Sequence, residues 1–196
     1  MNLRSFFLLV LVVTVLVSGY LLLNPFKKTS DLVSSPVSKI SSETRAYAQD
    51  KEEKAYSVDG KKYVTLKKST QNKTSEYILT LSDGSELLRE VRDESSSISL
   101  PGNTWDPGEE YVFLESSQNG GKTDLLLKTS GENFSDSEKT IDVGKLFNEK
   151  KFPYQFKEAT GWAGSNLLII ETVNEDKTDG PLYWFEVSSG AFIQLY

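Results

Sequence analysis

Hydrophobic residues are distributed along this chain in two unlike ways. Phe6 to Leu23 is almost unbroken apolar sequence, softened only by Thr14, Ser18, Gly19 and Tyr20. From about residue 51 onward the apolar residues come as short runs separated by Gly, Asn, Asp and Ser. The first pattern predicts a helix able to cross a membrane, since eighteen residues at about 1.5 Å each span roughly 27 Å. The second predicts strands and turns. Only Gly144 to Lys151 reads as a short helix.

The N-terminal run continues through Tyr20-Leu21-Leu22-Leu23. The small residues of a signal-peptidase site, Val17-Ser18-Gly19, therefore lie inside the hydrophobic block rather than after it. An uncleaved signal anchor over residues 1–26 is the expectation, with a cleaved signal peptide as the alternative. Arg4 on one flank is balanced by Lys27 and Lys28 on the other, so charge gives no orientation. Residues 27–51 hold Ser30, Ser34, Ser35, Ser38, Ser41, Ser42 and Pro36 with few apolar anchors, the composition of a flexible stalk. A stalk placed before a secreted-type domain predicts a single-pass protein of the cell membrane with residues 52–196 outside.

Within residues 52–196 the strands recur in a fixed order. Gly60, Gly108 and Gly164 are each followed three residues later by a strand, opening at Tyr63, Tyr111 and Leu167. Each is followed by a polar loop and a second apolar run that ends in a glycine turn, at Gly84, Gly131 and Gly190. The units repeat after 48 residues (Tyr63 to Tyr111) and then 56 (Tyr111 to Leu167), and periods near 40–50 with paired strands suit blade repeats. Runs such as Leu125-Leu126-Leu127 and Tyr183-Trp184-Phe185 do not alternate with polar residues, so their sheets need cover on both faces. Trp105 and Trp162 stand ahead of their repeat glycines, with Tyr56 in the matching place of the first unit. An aromatic there is expected to wedge between neighbouring sheets.

Tyr56-Ser57-Val58-Asp59-Gly60-Lys61-Lys62-Tyr63 and Trp105-Asp106-Pro107-Gly108-Glu109-Glu110-Tyr111 resemble the signature of the TolB-type blade. The same blade occurs in the propeller domains of dipeptidyl-peptidase-like proteins. The third copy, Trp162-Ala163-Gly164-Ser165-Asn166-Leu167, lacks the acidic turn residue and one position. The resemblance covers about residues 52–196 and implies an all-β domain of three propeller-like antiparallel blades behind a transmembrane helix. A β-sandwich is the alternative. Closed propellers need about 4–8 blades, so three imply an incomplete propeller whose uncovered ends invite a second copy or another protein.

Composition narrows the chemistry. The 196 residues include no cysteine and no histidine. That removes disulfides, thiol nucleophiles, imidazole bases and ordinary zinc sites. Twenty-two Lys and Arg against 28 Asp and Glu leave a net charge of −6, contrary to a nucleic-acid binder. No catalytic, cofactor-binding or metal-binding residue is assigned. The acidic loop from Asn174 to Gly180 lacks the spacing of a calcium loop and reads as a solvated hairpin. The basic-aromatic stretch with Lys150, Lys151, Phe152 and Tyr154 is the candidate partner contact. Two functions follow as expectations: a non-catalytic interaction domain that binds protein or envelope polymer, or a small carboxylate-dependent hydrolase acting on envelope glycans.

Overall fold

A computed structural model of the chain describes residues 50–196, and the expected signal anchor and most of the expected stalk lie outside the described residues. Among the described residues no helix is long and apolar enough to cross a membrane. The described residues belong to one compact unit.

The unit is all-β, with one short helix. Sheet 1 comprises β1 (Lys51–Tyr56), β2 (Tyr63–Gln71), β3 (Thr74–Leu81) and β4 (Glu86–Asp93). Sheet 2 comprises β5 (Ser97–Ser99), β6 (Tyr111–Gln118), β7 (Gly121–Lys128) and β8 (Thr140–Asp142). Helix α1 (Val143–Glu149) follows, capped by the Asp142 carboxylate, which accepts the Lys145 N–H at 2.8 Å. Sheet 3 comprises β9 (Gln155–Gly164), β10 (Leu167–Val173), β11 (Tyr183–Glu186) and β12 (Ala191–Gln194). Each sheet is an antiparallel meander in chain order, and none closes into a barrel.

Sheet 2 lies between the other two and is buried on both faces. Val112, Leu114, Leu125 and Leu127 point into a core shared with Val64, Leu66, Tyr77 and Leu79 of sheet 1. Phe113 and Leu126, directly paired, point the other way into a core shared with Leu168, Ile170, Tyr183 and Phe185 of sheet 3. Non-alternating runs are the sequence record of that double burial. Three layers around two cores replace the two-sheet sandwich held as the alternative.

The turns that open sheets 1 and 2 are built alike. The Ser57 N–H donates to the Lys62 carbonyl at 2.9 Å, and the Asp106 N–H to the Tyr111 carbonyl at 3.1 Å. Ser57 Oγ accepts the Lys62 N–H at 3.1 Å, while Asp106 Oδ1 accepts the Tyr111 N–H at 2.7 Å. This geometry sets the period at 49, one more than the glycine spacing suggests. Gly60 (φ 73°) corresponds to Glu109 (φ 58°), and Gly108 is outside the left-handed region. Gly108 is small for another reason: a Cβ there would approach Asp106 Oδ2 to 2.9 Å and Ser165 Oγ to 3.0 Å. Tyr63 corresponds to Val112, not Tyr111, and the two point to the same face of their sheets. In sheet 3 the turn is shorter, with Gly164 paired to Leu167 and Asn166 (φ 61°) carrying the left-handed conformation.

Candidate functional site

The repeat aromatics join successive sheets. Trp105 is 4% exposed, and its indole Nε1 donates to the Ala55 carbonyl of β1 at 3.0 Å. The Trp162 Nε1 donates to the Thr104 carbonyl at 3.3 Å, while its ring stacks on Tyr111 and meets Phe113 edge-on. Ala55 and Thr104 each stand one residue before the repeat aromatic of their own sheet. The bond is therefore the same device used twice, each indole reaching back to the preceding sheet. Tyr56 takes the corresponding place in sheet 1, before which no sheet is formed by the described residues, and is 62% exposed. The expected wedge thus forms at Trp105 and Trp162 and not at Tyr56, which among the described aromatics meets its cross-strand neighbour Tyr63 at a tilt of 53°, with ring centroids 5.5 Å apart.

The two end faces differ. On the outer face of sheet 1, Lys54, Lys67 and Arg89 alternate with Glu52 and Glu76 around Tyr56, Tyr63 and Val91. Their ion pairs include Lys54–Glu52 at 3.3 Å and Arg89–Glu76 at 2.6 Å. The outer face of sheet 3 carries Leu167, Ile169, Trp184 and Ile193 with Glu171 and Glu186, while Glu158 reaches back to Lys122 of sheet 2 at 3.9 Å. Ile169 pairs with Trp184 as Phe113 pairs with Leu126 in sheet 2. The sheet 2 pair is wholly buried, the sheet 3 pair half-exposed. All the exposed large hydrophobic residues among those described (Tyr56, Val58, Val91, Leu182, Ile193, Tyr196) belong to sheets 1 and 3 or their flanking turns.

The basic-aromatic stretch divides. Phe152 packs on Phe147 and Tyr183 with centroids 4.9 and 5.2 Å away, and Tyr154 lies 6.4 Å from Tyr183. Both are half-buried in the core between sheets 2 and 3, which removes most of their surface from a partner. Lys150 and Lys151 remain exposed, closing α1 through N–H bonds to Phe147 and Asn148.

Asp124 escaped the sequence reading. It is 1% exposed, and its Oδ2 accepts the Ala159 N–H at 2.6 Å across to β9. Burial, with Glu115, Glu158 and Asp142 nearby, pushes its carboxyl up to about 7. The signal available was an acidic residue at the head of the run Asp124-Leu125-Leu126-Leu127. The space beside it is about 150 Å³. A larger cleft of about 930 Å³ opens along β8 and α1, lined by charges of both signs that include Glu90, Arg92, Lys145 and Glu149. Among the described residues no group of three acidic side chains is placed to hold a metal ion. The acidic loop is a turn tied by its own side chains, with Asp176 Oδ1 accepting from the Thr178 N–H and hydroxyl at 3.0 and 2.6 Å.

No protein-family model matches the chain, and comparison with curated proteins and with solved structures found no match.

Proposed function

We propose that the chain is a non-catalytic interaction domain of blade-like sheets, tethered to a membrane by its N-terminal segment and held outside the cell. Its binding would be to a protein or an envelope polymer. One observation carries this reading: the outer face of sheet 3 carries Ile169 and Trp184 at the register of Phe113 and Leu126, a pair wholly buried in sheet 2, yet no described residue covers it. Apolar surface of that kind marks an interaction site in a folded domain.

The alternative, a carboxylate-dependent glycan hydrolase, has its foothold at Asp124. Asp124 is opposite Glu115 on the neighbouring strand, and its raised pKa suits a general acid. The adjoining space is well below the roughly 300–1,000 Å³ of small-molecule sites, and the carboxyl is already spent on a backbone N–H. Binding is the better-supported function.

A photo-reactive residue at Ile193 in the full-length chain, activated in intact cells, tests the proposal. A covalent adduct with a protein or polymer is the expected result. No adduct, together with release of sugars from envelope glycans by the purified chain, would make the hydrolase the function.

A further inference from the structure

We propose that Asp124 is a proton-controlled latch on sheet 3: its neutral carboxyl holds the edge of β9 against sheet 2, and loss of the proton frees that edge as pH rises. The output of the switch is a short stretch of strand edge, bound to the chain's own sheet 2 in one state and open in the other.

The latch is a bond between sheets. Asp124 lies on β7 of sheet 2, is 1% exposed, and accepts the Ala159 N–H of β9 at 2.6 Å. β9 is an edge strand of sheet 3, and side chains rather than another strand meet its backbone there: Asp124 takes the Ala159 N–H, and the Asn103 amide donates to the Thr160 carbonyl. β9 is also irregular at this point. Ile169 pairs with Gly161 and Ile170 with Ala159, which leaves Thr160 as an extra residue. Glu171 pairs with Glu158 and Thr172 with Phe156, which leaves Lys157 as another. Glu158 and Ala159 thus sit between two bulges, where pairing is interrupted and a short segment can move without its sheet.

The surroundings oppose a charge on Asp124. Glu115 is directly opposite on β6, with its side chain on the same face. Glu158 approaches from β9, its carboxylate 3.9 Å from the ammonium of Lys122, which shares that face of β7. Asp142, at the head of α1, adds a further negative charge, and β5 contributes the uncharged Ser97 and Ser99. Asp106, also buried, accepts two backbone N–H bonds, from Gly108 and Tyr111; among the described residues Asp124 has the one from Ala159. An ionised carboxylate would bind that amide more strongly, but burying a charge among like charges costs more than one such bond returns. Burial is accordingly the largest cause that pushes the carboxyl up to about 7, and the bond to Ala159 acts the other way without cancelling it. The space beside the carboxyl, about 150 Å³, has room for a few waters at about 30 Å³ each, so a displaced β9 lets the charge hydrate.

Closed, the carboxyl keeps its proton up to about pH 7; open, it titrates at the ordinary 3.8. Between those values the closed form holds a proton that the open form has released. Opening therefore grows roughly ten-fold per pH unit and levels off above that range.

Amide hydrogen exchange in the full-length chain, isotopically labelled at the alanine nitrogens and held in detergent micelles, reads the latch at Ala159, with Ala55 of sheet 1 as reference. Protection of Ala159 is expected to fall roughly ten-fold per unit from about pH 5 toward 7 and then hold constant. It should also be insensitive to dilute urea, because the opening exposes little surface. Asp124→Asn should remove the pH dependence. Glu115→Gln, which leaves the latch bond in place, should move the level region to lower pH. Protection of Ala159 that is constant with pH in the parent, or that falls as steeply in Asp124→Asn, would overturn the latch. A fall shared equally by Ala55 and Ala159, with both responding to urea, would mean that the proton acts on the whole fold and would overturn a local switch. Should Asp124→Asn fail to fold, Glu115→Gln decides, and a profile identical to the parent's would overturn the proposal.

Discussion

The indole of Trp105 donates to the carbonyl of Ala55, 50 residues earlier, and so ties sheet 2 to the first strand of sheet 1. A buried N–H whose acceptor belongs to another sheet fixes relative position as well as contributing packing. Trp105→Phe keeps most of the ring and removes the donor, leaving the carbonyl to its strand partner alone. The loss expected in urea unfolding of Arg45–Tyr196 is about 1–2 kcal/mol. Tyr56→Phe, at the same repeat position with no sheet before it among the described residues, should change monomer stability by less than about 0.5 kcal/mol. Equal effects at both positions would mean that the indole bond does not hold the sheets together.

The two repeat-equivalent residues Phe113 and Ile169 offer a second contrast. Phe113 is wholly buried between sheets 2 and 3, so Phe113→Ala should cost about 3–5 kcal/mol through lost burial and a cavity. Ile169 sits on the outer face and is half-exposed, so Ile169→Ala should cost roughly 1 kcal/mol in the monomer. Chemical unfolding at low protein concentration separates these from any effect of association.

Much of the fold was legible because burial on both faces leaves a mark in composition. Leu125-Leu126-Leu127 can be read as a strand of a covered sheet without knowing what covers it. The short helix over Val143–Glu149 was legible from Gly144 onward, though its cap, Asp142, was not. The repeat register was misread by one residue because Gly60 and Gly108 look equivalent in sequence. The backbone needs φ > 0 at Gly60 and at Glu109, and a glutamate side chain gives no hint of that conformation. The candidate end faces were harder still. Whether Ile169 or Leu168 faces outward depends on the pairing register, and a one-residue slip exchanges the two faces.

Glu109 gives a prediction of its own. Its left-handed backbone carries a cost of about 1 kcal/mol that glycine would relieve. Its carboxylate also meets Lys62 at 3.0 Å, linking the turns of sheets 1 and 2. With the Glu109 side chain 18% exposed and Lys62 open to solvent, an ion pair of this kind contributes at most about 1 kcal/mol. Glu109→Gly should therefore leave stability unchanged or raise it slightly, whereas Gly60→Val, which places a branched side chain at the matching φ, should lower the melting temperature clearly.

The N-terminal segment can be tested directly. Full-length chain from its native membrane should remain in the pellet after an alkaline wash, and its intact mass should begin at Met1 or Asn2. A product beginning near Tyr20 and found only in the soluble fraction would establish cleavage instead.

Asp124 makes the stability of the domain depend on pH in an unusual direction. Its folded-state carboxyl titrates at about 7, against 3.8 for the ordinary group. Between those values the folded chain holds a proton that the unfolded chain has released, so this group's contribution to stability falls as pH rises from about 4 to 7 and is level above. Three units correspond to at most about 4 kcal/mol, because a unit is worth about 1.4 kcal/mol. The groups facing it from the packed elements are Glu115 on β6, Glu158 on β9 and Asp142 at the head of α1, all of which raise it, with Lys122 3.9 Å from Glu158. Asp124→Asn keeps an oxygen to accept the Ala159 N–H and removes the titration. Carboxylates held low by hydrogen bonds, such as Asp93 beside Ser95 and Ser96, act with the opposite sign but are shared by both proteins and cancel in the difference. The stability of the variant minus that of the parent, from urea unfolding at a series of pH values, should thus grow from pH 4 to 7 and then stay constant. A difference that does not change with pH would mean that Asp124 is ionised throughout, its charge held by the Ala159 amide and by water.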